Sequence, residues 1–305
     1  MPRTPNRRVI PLARLAEVWA AYCEFRRGQV APSTYARDYN KFTQRLKRLQ
    51  AEAPHLRNAL AIRDWLLANY SHETTRRTIQ QFTAACRWAE ESDMLAKNPF
   101  VGIGRQLRPT RPSDTNWAAF TLEERDRIIA AIDEQSPYYG PWVRFLFWTG
   151  ARPEEAAALN WGHVSPDGRE VLINEALPQG QKQAQSTKNY KSTRFPCGDR
   201  LARLLRQQRP YDGCRQGWVF PGVEGGSMHY TNFQRRHWRP IVQELAEKGA
   251  IAFYLSQYHC RHTWITGALE AGVSVQDVSY LARVSTSVIY KHYASRARRP
   301  VIPEF

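Results

Sequence analysis

Leu12, Leu15, Val18, Trp19 and Tyr22 recur at three- and four-residue spacing across residues 11–27, which predicts an amphipathic helix. The pattern restarts at Pro32-Ser33-Thr34, with Ser33 the expected N-cap of a second helix through Leu49. A third helix is expected over 59–69. A fourth runs from about Glu73 to Glu91, with Ile79, Phe82, Cys86 and Ala89 on one face and Arg76, Arg77 and Arg87 elsewhere around it. Asn98-Pro99 is expected to end it, because the residue before a proline is pushed out of the helical region. Residues 1–103 therefore read as a bundle of about four helices.

Periodicity then fails over residues 104–118 (GRQLRPTRPSDTNWA), which read as a basic linker. It returns at Thr121-Leu122-Glu123-Glu124, a capping box ahead of a helix carrying Ile128, Ile129 and Ile132. Further helices are expected at Trp142–Trp148 and Pro153–Leu159. Residues 170–196 alternate instead: Glu170–Asn174 reads as a strand, and 184–196 holds a second extended pair around Asn189-Tyr190. Helices follow near 198–208, 231–247, 262–271, 274–282 and 286–292. Trp148, Trp161 and Trp238 are expected in the core. The fold class is mainly α: a helical-bundle N-terminal domain, then a mixed, mostly helical domain over 119–305 with a small antiparallel sheet.

Charge changes the picture next. The 305 residues carry 44 Lys+Arg against 28 Asp+Glu, a formal net charge of +16. Both halves share the excess, with a net +8 in residues 1–104 and +8 in 105–305. That suits a protein gripping a long anion from two sides, and sequence-independent affinity for a DNA or RNA backbone is expected. Arg76, Arg77, Arg105, Arg108 and Arg111 are candidate backbone contacts. No apolar run approaches the ~20 residues that a bilayer requires, so no membrane partner is expected. The five cysteines form no CxxC pair, and no acidic cluster has metal spacing. Neither a metal nor another cofactor is expected, and the expected location is the cytoplasm, on the nucleoid.

Chemistry concentrates in four segments of the second half. Thr149-Gly150-Ala151-Arg152-Pro153-Glu154-Glu155 places an arginine at a helix start after a glycine turn. Thr187-Lys188-Asn189-Tyr190-Lys191-Ser192-Thr193-Arg194-Phe195-Pro196 places lysines in an expected hairpin. Tyr258-His259-Cys260-Arg261-His262-Thr263 places an arginine at the mouth of a helix, and Tyr290-Lys291-His292-Tyr293 follows about thirty residues later. Together these resemble the boxes of the tyrosine recombinase (phage integrase) family, in the same order over residues 120–295. Thr149, Gly150, Arg152 and Glu155 match T-G-x-R-x-x-E. Thr187, Lys188, Lys191, Ser192, Arg194 and Pro196 match the sheet box in part. Arg261, His262 and Thr263 match H-x-x-R-H-T. Leu281, Ser285, Lys291, His292 and Tyr293 match the last box. Two positions depart from the family: Tyr258 stands for the first histidine of H-x-x-R, and Arg283 for the histidine or tryptophan after L-G, with Ala282 in place of that glycine.

The resemblance implies a core DNA-binding domain over 1–103 and a catalytic domain over 119–305. It implies double-stranded DNA as the partner, cleaved and rejoined through a 3′-phosphotyrosyl intermediate, without metal or ATP. Strand exchange would occur in a homo-tetramer on paired sites, from a protein that is a monomer or dimer when free. Elementary chemistry agrees. Cleaving a phosphodiester without metal needs permanently charged, planar forks on the non-bridging oxygens, which Arg152 and Arg261 supply. Lys188 is the implied proton donor to the leaving oxygen; Lys191 is its rival, a solvated hairpin charge or a DNA contact. Tyr293 is the implied nucleophile. Tyr290, three residues earlier on the same expected helix, shares its face and is the alternative.

Tyr258 and Arg283 can still hydrogen-bond a phosphate, through a hydroxyl and a charged fork. Glu155 is expected to orient an arginine by a buried ion pair. His262 either bonds into the pocket or braces its helix, and His292 either packs or touches backbone phosphate. A separate arm-binding domain is not expected, which suits a simple recombinase or a mobile-element integrase. Two other classes stay open: a catalytically weakened DNA-binding relative, and a relaxing type IB topoisomerase.

The chain after Tyr293 joins basic Arg296, Arg298 and Arg299 to Val301-Ile302-Pro303-Glu304-Phe305. An apolar terminus is expected to dock, in cis or on a neighbouring protomer. Truncation after Arg299 should then leave half-site binding intact and abolish cooperative filling of paired sites in a gel-shift titration. Unchanged cooperativity would eliminate docking between protomers.

Overall fold

The computed structural model describes residues 8–107, 117–181, 183–186, 192–211 and 213–293. The chain divides into two compact units, Met1–Pro112 and Ser113–Phe305.

In the first unit, α1 (Leu12–Arg26), α2 (Pro32–Thr34), α3 (Asn40–Glu52), α4 (Ala59–Asn69) and α5 (His72–Glu91) pack around Trp19, Leu49, Ile62, Leu66 and Phe82. Ser33 is not the cap expected of it. Pro32 opens α2 with Ala31 as N-cap, since proline lacks the N–H that a cap would satisfy and its φ suits a first turn. A π turn (Tyr35–Tyr39) joins α2 to α3. Asn98-Pro99 does not end α5. The helix stops at Glu91, and Asp93 turns the chain in the left-handed region. Asn98 instead pins the turn, donating to the Thr83 carbonyl and accepting from Phe100 N–H.

The expected linker also shrinks from its first end. Ile103 and Leu107 are apolar and buried, so α6 (Ile103–Gln106) belongs to the first core. At its far end Trp117 packs with the second unit. Arg105 is exposed on α6, whereas Arg108 and Arg111 lie outside the described residues. Arg76 and Arg77, candidate DNA contacts, both bond the Glu73 carboxylate, at 2.7 and 2.8 Å.

The second unit begins with the expected capping box. Thr121 Oγ1 accepts from Glu124 N–H and the Glu124 carboxylate accepts from Thr121 N–H, opening α7 (Leu122–Gln135). Helix α8 (Gly140–Thr149) forms the spine of the core with Trp142, Phe145 and Leu146, and is followed by α9 (Pro153–Ala157). Among the described residues the extended region holds two short antiparallel ladders. In one, β1 (Glu170–Ile173) pairs with β4 (Thr193–Pro196); in the other, β2 (Glu175–Ala176) pairs with β3 (Gln185–Ser186).

Helices α10 (Asp199–Gln208), α11 (Tyr230–Phe233), α12 (Arg239–Glu247), α13 (His259–Glu270), α14 (Val275–Ala282) and α15 (Thr286–Tyr293) complete it. A π turn (Gln234–Trp238) precedes Pro240, where the proline ring would collide with a regular helical carbonyl. Trp161 and Trp238 are buried, but Trp148 is only half-buried against the core. A second small core joins α13, α14 and α15 through Ile265, Leu269, Val278, Ile289 and Tyr293.

The turn between α8 and α9 sets the first site arginine. Thr149 Oγ1 donates to the Phe145 carbonyl and accepts from Ala151 N–H, tying the end of α8. Gly150 then reverses the chain at φ 61°, and a Cβ there would lie 2.9 Å from the Trp264 ring. Arg152 follows as N-cap, with Pro153 in the first helical turn. Gly150→Ala combines strained backbone with this collision. It should cost about 1–3 kcal/mol and lower the thermal midpoint by several degrees in a calorimetric scan; an unchanged midpoint would show that the turn and Trp264 relax freely.

Candidate active site

Four chain segments meet in one pocket of the second unit. Glu155 lies at the third position of α9, so its carboxylate reaches back to the Arg152 N–H at 2.8 Å. The same carboxylate accepts from the Arg152 fork at 2.6 Å and from Arg283 Nη2 at 2.9 Å. Burial alone would raise the Glu155 pKa, but Arg283, Arg152 and Arg261 together hold it down to about 2. Arg152 Nη2 also donates to the Arg283 carbonyl at 3.2 Å.

Arg261, in the first turn of α13, is 3% exposed. Its Nη1 donates to the Gly150 carbonyl at 2.8 Å, and its Nη2 bonds the Ala282 carbonyl. Burial and the neighbouring Arg152 lower its pKa to about 10, so it stays charged at neutral pH. The fork is thus fixed by the turn before α9 and the end of α14. Thr263 locks α13 in turn, donating to the His259 carbonyl and accepting from Phe120 N–H.

His262 and Tyr293 face each other, the imidazole Nδ1 against the phenolic oxygen. Burial, then His259, Arg261 and His292, lower the His262 pKa to about 3, so the ring is neutral at physiological pH. Burial pushes the Tyr293 hydroxyl well above its ordinary value, although Arg261 pulls it down. Tyr293 is 2% exposed and Tyr290 is 57% exposed. The two do not share a face as expected: Ile289 and Tyr293, four residues apart, define the buried side of α15, and Tyr290 faces solvent.

Arg283 differs from its expected role. It ends α14 in the left-handed region at φ 54°, and its side chain turns inward. One nitrogen binds Glu155, another donates to the Leu281 carbonyl at 2.6 Å, and its buried Nε has no hydrogen-bond partner. It braces the pocket wall instead of offering an open fork. Tyr258, the N-cap of α13, is exposed at the pocket edge, its ring 5.5 Å from that of His262. His292 stacks on Trp117, with ring centres 3.6 Å apart. Sequence reasoning gave Trp117 to the linker; the one available signal was a large aromatic closing a Pro- and Arg-rich run. Lys188 and Lys191 lie between β3 and β4, outside the described residues. Among the described residues no group of three His, Cys, Asp or Glu side chains could hold a metal, and no helix is long and apolar enough to cross a membrane.

Residues 119–297 match the phage integrase family. The chain is 25% identical over 287 residues to the tyrosine recombinase XerD of Neisseria meningitidis serogroup A, covering 88% of this chain and 89% of that protein. Its fold is similar to that of the Tn1549 transposon integrase, solved in complex with a circular intermediate DNA. The TM-score is 0.74 at 15% identity, over 92% of this chain and 94% of that one. A lambda integrase dimer bound to a COC' core site superposes with a TM-score of 0.67 at 12% identity, over 94% and 79% of the two chains.

The neutral His262 makes a testable demand on stability. Its folded pKa lies near 3, below the ordinary 6.5. As pH falls through 6.5 the unfolded chain binds a proton that the folded chain refuses, so stability drops from there toward pH 3. Glu155, held near 2 against an ordinary 4.5, adds to the loss below about pH 4.5. Urea titrations should show stability falling from pH 7 to 5, and His262→Asn should flatten that segment. A pH slope identical in the variant would remove His262 as its source.

Proposed function

The chain belongs to the phage integrase family, and on that premise we propose that it is a site-specific DNA recombinase that cuts and rejoins duplex DNA through a covalent tyrosine intermediate. One observation carries the reading. Residues from α9, α13, the end of α14 and α15 lie together: Glu155 joins the Arg152 and Arg283 forks, the Gly150 carbonyl holds Arg261 near them, and His262, next to Arg261 on α13, meets Tyr293.

Arg152 and Arg261 bind the non-bridging oxygens of the scissile phosphate and stabilise the charge that grows there in the transition state. Glu155 and Arg283 position those forks. The Tyr293 oxygen attacks phosphorus, and the bond to the 5′-oxygen breaks. A 3′-phosphotyrosyl bond and a free 5′-hydroxyl result. His262 Nδ1 faces the phenolic oxygen and takes its proton as the bound phosphate adds negative charge beside the ring and raises its basicity, and Lys188 is the donor to the departing oxygen. Tyr258 adds a hydroxyl at the pocket edge. Attack by another 5′-hydroxyl reverses the step, so bond energy is conserved without ATP.

Arg76, Arg77, Arg105, Arg108 and Arg111 of the first unit and Lys191 of the second are the proposed contacts to the DNA backbone. The DNA-bound integrase dimer among the similar folds supports assembly on paired sites, with a tetramer as the exchanging form. The resemblance to a transposon integrase supports a mobile-element role, and the bacterial recombinase relative supports a cytoplasmic, nucleoid-associated protein.

A nicked suicide duplex, bearing the site that the wild-type protein selects from a randomised DNA pool, tests the assignment in EDTA buffer. Wild type should form a covalent adduct. Tyr293→Phe should bind with unchanged affinity and form none, whereas Tyr290→Phe should react normally. Arg152→Ala and Arg261→Ala should slow adduct formation by about 100-fold or more while keeping most of the affinity. DNA attached to Tyr290 in a mass spectrum would reverse the tyrosine assignment. Binding with no adduct from wild type would mark an inert relative.

A further inference from the structure

Trp117 is the first described residue of the second unit, and its ring is surrounded by the chemistry of the site. It stacks on His292 at 3.6 Å with the planes 10° apart. It meets Tyr293 edge-on at 5.6 Å and His262 edge-on at 5.2 Å. The backbone beside it is tied to the same helix. Three residues on, Phe120 N–H donates to Thr263 Oγ1 at 3.0 Å, and Thr263 directly follows His262.

Tyr293 is the last described residue of α15. Its ring is held by tertiary contacts. His262 meets its hydroxyl, and the flat face of Trp117 fixes the preceding residue, His292, while its edge borders the Tyr293 ring.

Resting on the assignment of Tyr293 as nucleophile, we infer that Trp117 is a positioning residue for strand cleavage, acting through His292 to hold the Tyr293 ring in line for attack. A residue of this kind changes the rate of adduct formation and leaves DNA affinity alone, because a displacement of about 1 Å at the nucleophile can cost about 100-fold in rate.

The test measures single-turnover adduct formation and DNA affinity on the same selected suicide duplex. Trp117→Ala should slow adduct formation at least tenfold, with affinity within threefold of wild type. Trp117→Phe, which keeps a flat ring, should recover most of the rate. His292→Ala should slow the reaction to a similar degree, and the Trp117→Ala/His292→Ala double variant should be no slower than the worse single one.

Wild-type rates in Trp117→Ala, additive losses in the double variant, or an equal loss in Trp117→Phe would each overturn the inference. So would a fall in affinity that matches the fall in rate. If Trp117→Ala fails to fold, Trp117→Phe and His292→Ala against wild type carry the comparison. An adduct persisting in Tyr293→Phe would instead defeat the nucleophile assignment, an outcome separate from any result at Trp117.

Discussion

Like-charged guanidinium groups share a dry pocket only if a carboxylate stands between them, and Glu155 is that carboxylate. It receives Arg152 at 2.6 Å and Arg283 at 2.9 Å, and it is 3% exposed. Taking one buried charge away from its partners typically costs 3–5 kcal/mol, far more than a surface pair is worth. One of the two forks that face the phosphate in the proposed reaction hangs on this clasp. The α9 cap, the fork of Arg152 and the wall built by Arg283 lose their common anchor without it. Arg261 is held separately, by two backbone carbonyls, so the second fork does not compete for the same oxygens.

Much of this was legible in the sequence because it is local. A threonine, a glycine, an arginine before proline and a glutamate three residues on specify a turn, a cap and a return hydrogen bond within seven residues. The helix periods gave most elements for the same reason. What the sequence hid is non-local. Nothing between residues 104 and 118 announces that Trp117 lies on His292, since the contact spans 175 residues of chain. The side of α15 taken by Tyr290 was misread because a three-residue spacing was treated as one face, when Ile289 and the packing of α13 decide which ring turns inward. Ser33 failed as a cap because Pro32 had already started the helix, and Asn98-Pro99 failed as a stop because Asp93 had already turned the chain.

Arg283 shows how a position can change its chemistry while the architecture around it survives. Its side chain is used inward, on Glu155 and the Leu281 carbonyl, and its main-chain carbonyl receives Arg152. A non-glycine residue in the left-handed region carries a modest backbone cost, which the buried ion pair offsets. In the proposed reaction, binding of the phosphate thus falls to Arg152 and Arg261, with the exposed Tyr258 hydroxyl beside them.

The burial of Tyr293 has a consequence for the fate of broken DNA. A phosphotyrosyl bond is vulnerable to one competitor above all, a water molecule arriving before the partner strand. Ile265, Leu269 and Ile289 share a small core with the Tyr293 ring, while its hydroxyl meets His262, so water reaching the linkage would have to come from the polar side alone. The same packing that keeps the tyrosine protonated at rest would shelter the severed end during exchange. A DNA end held in such a pocket would keep its stored bond energy for resealing, because water would be slower to reach it than the partner strand.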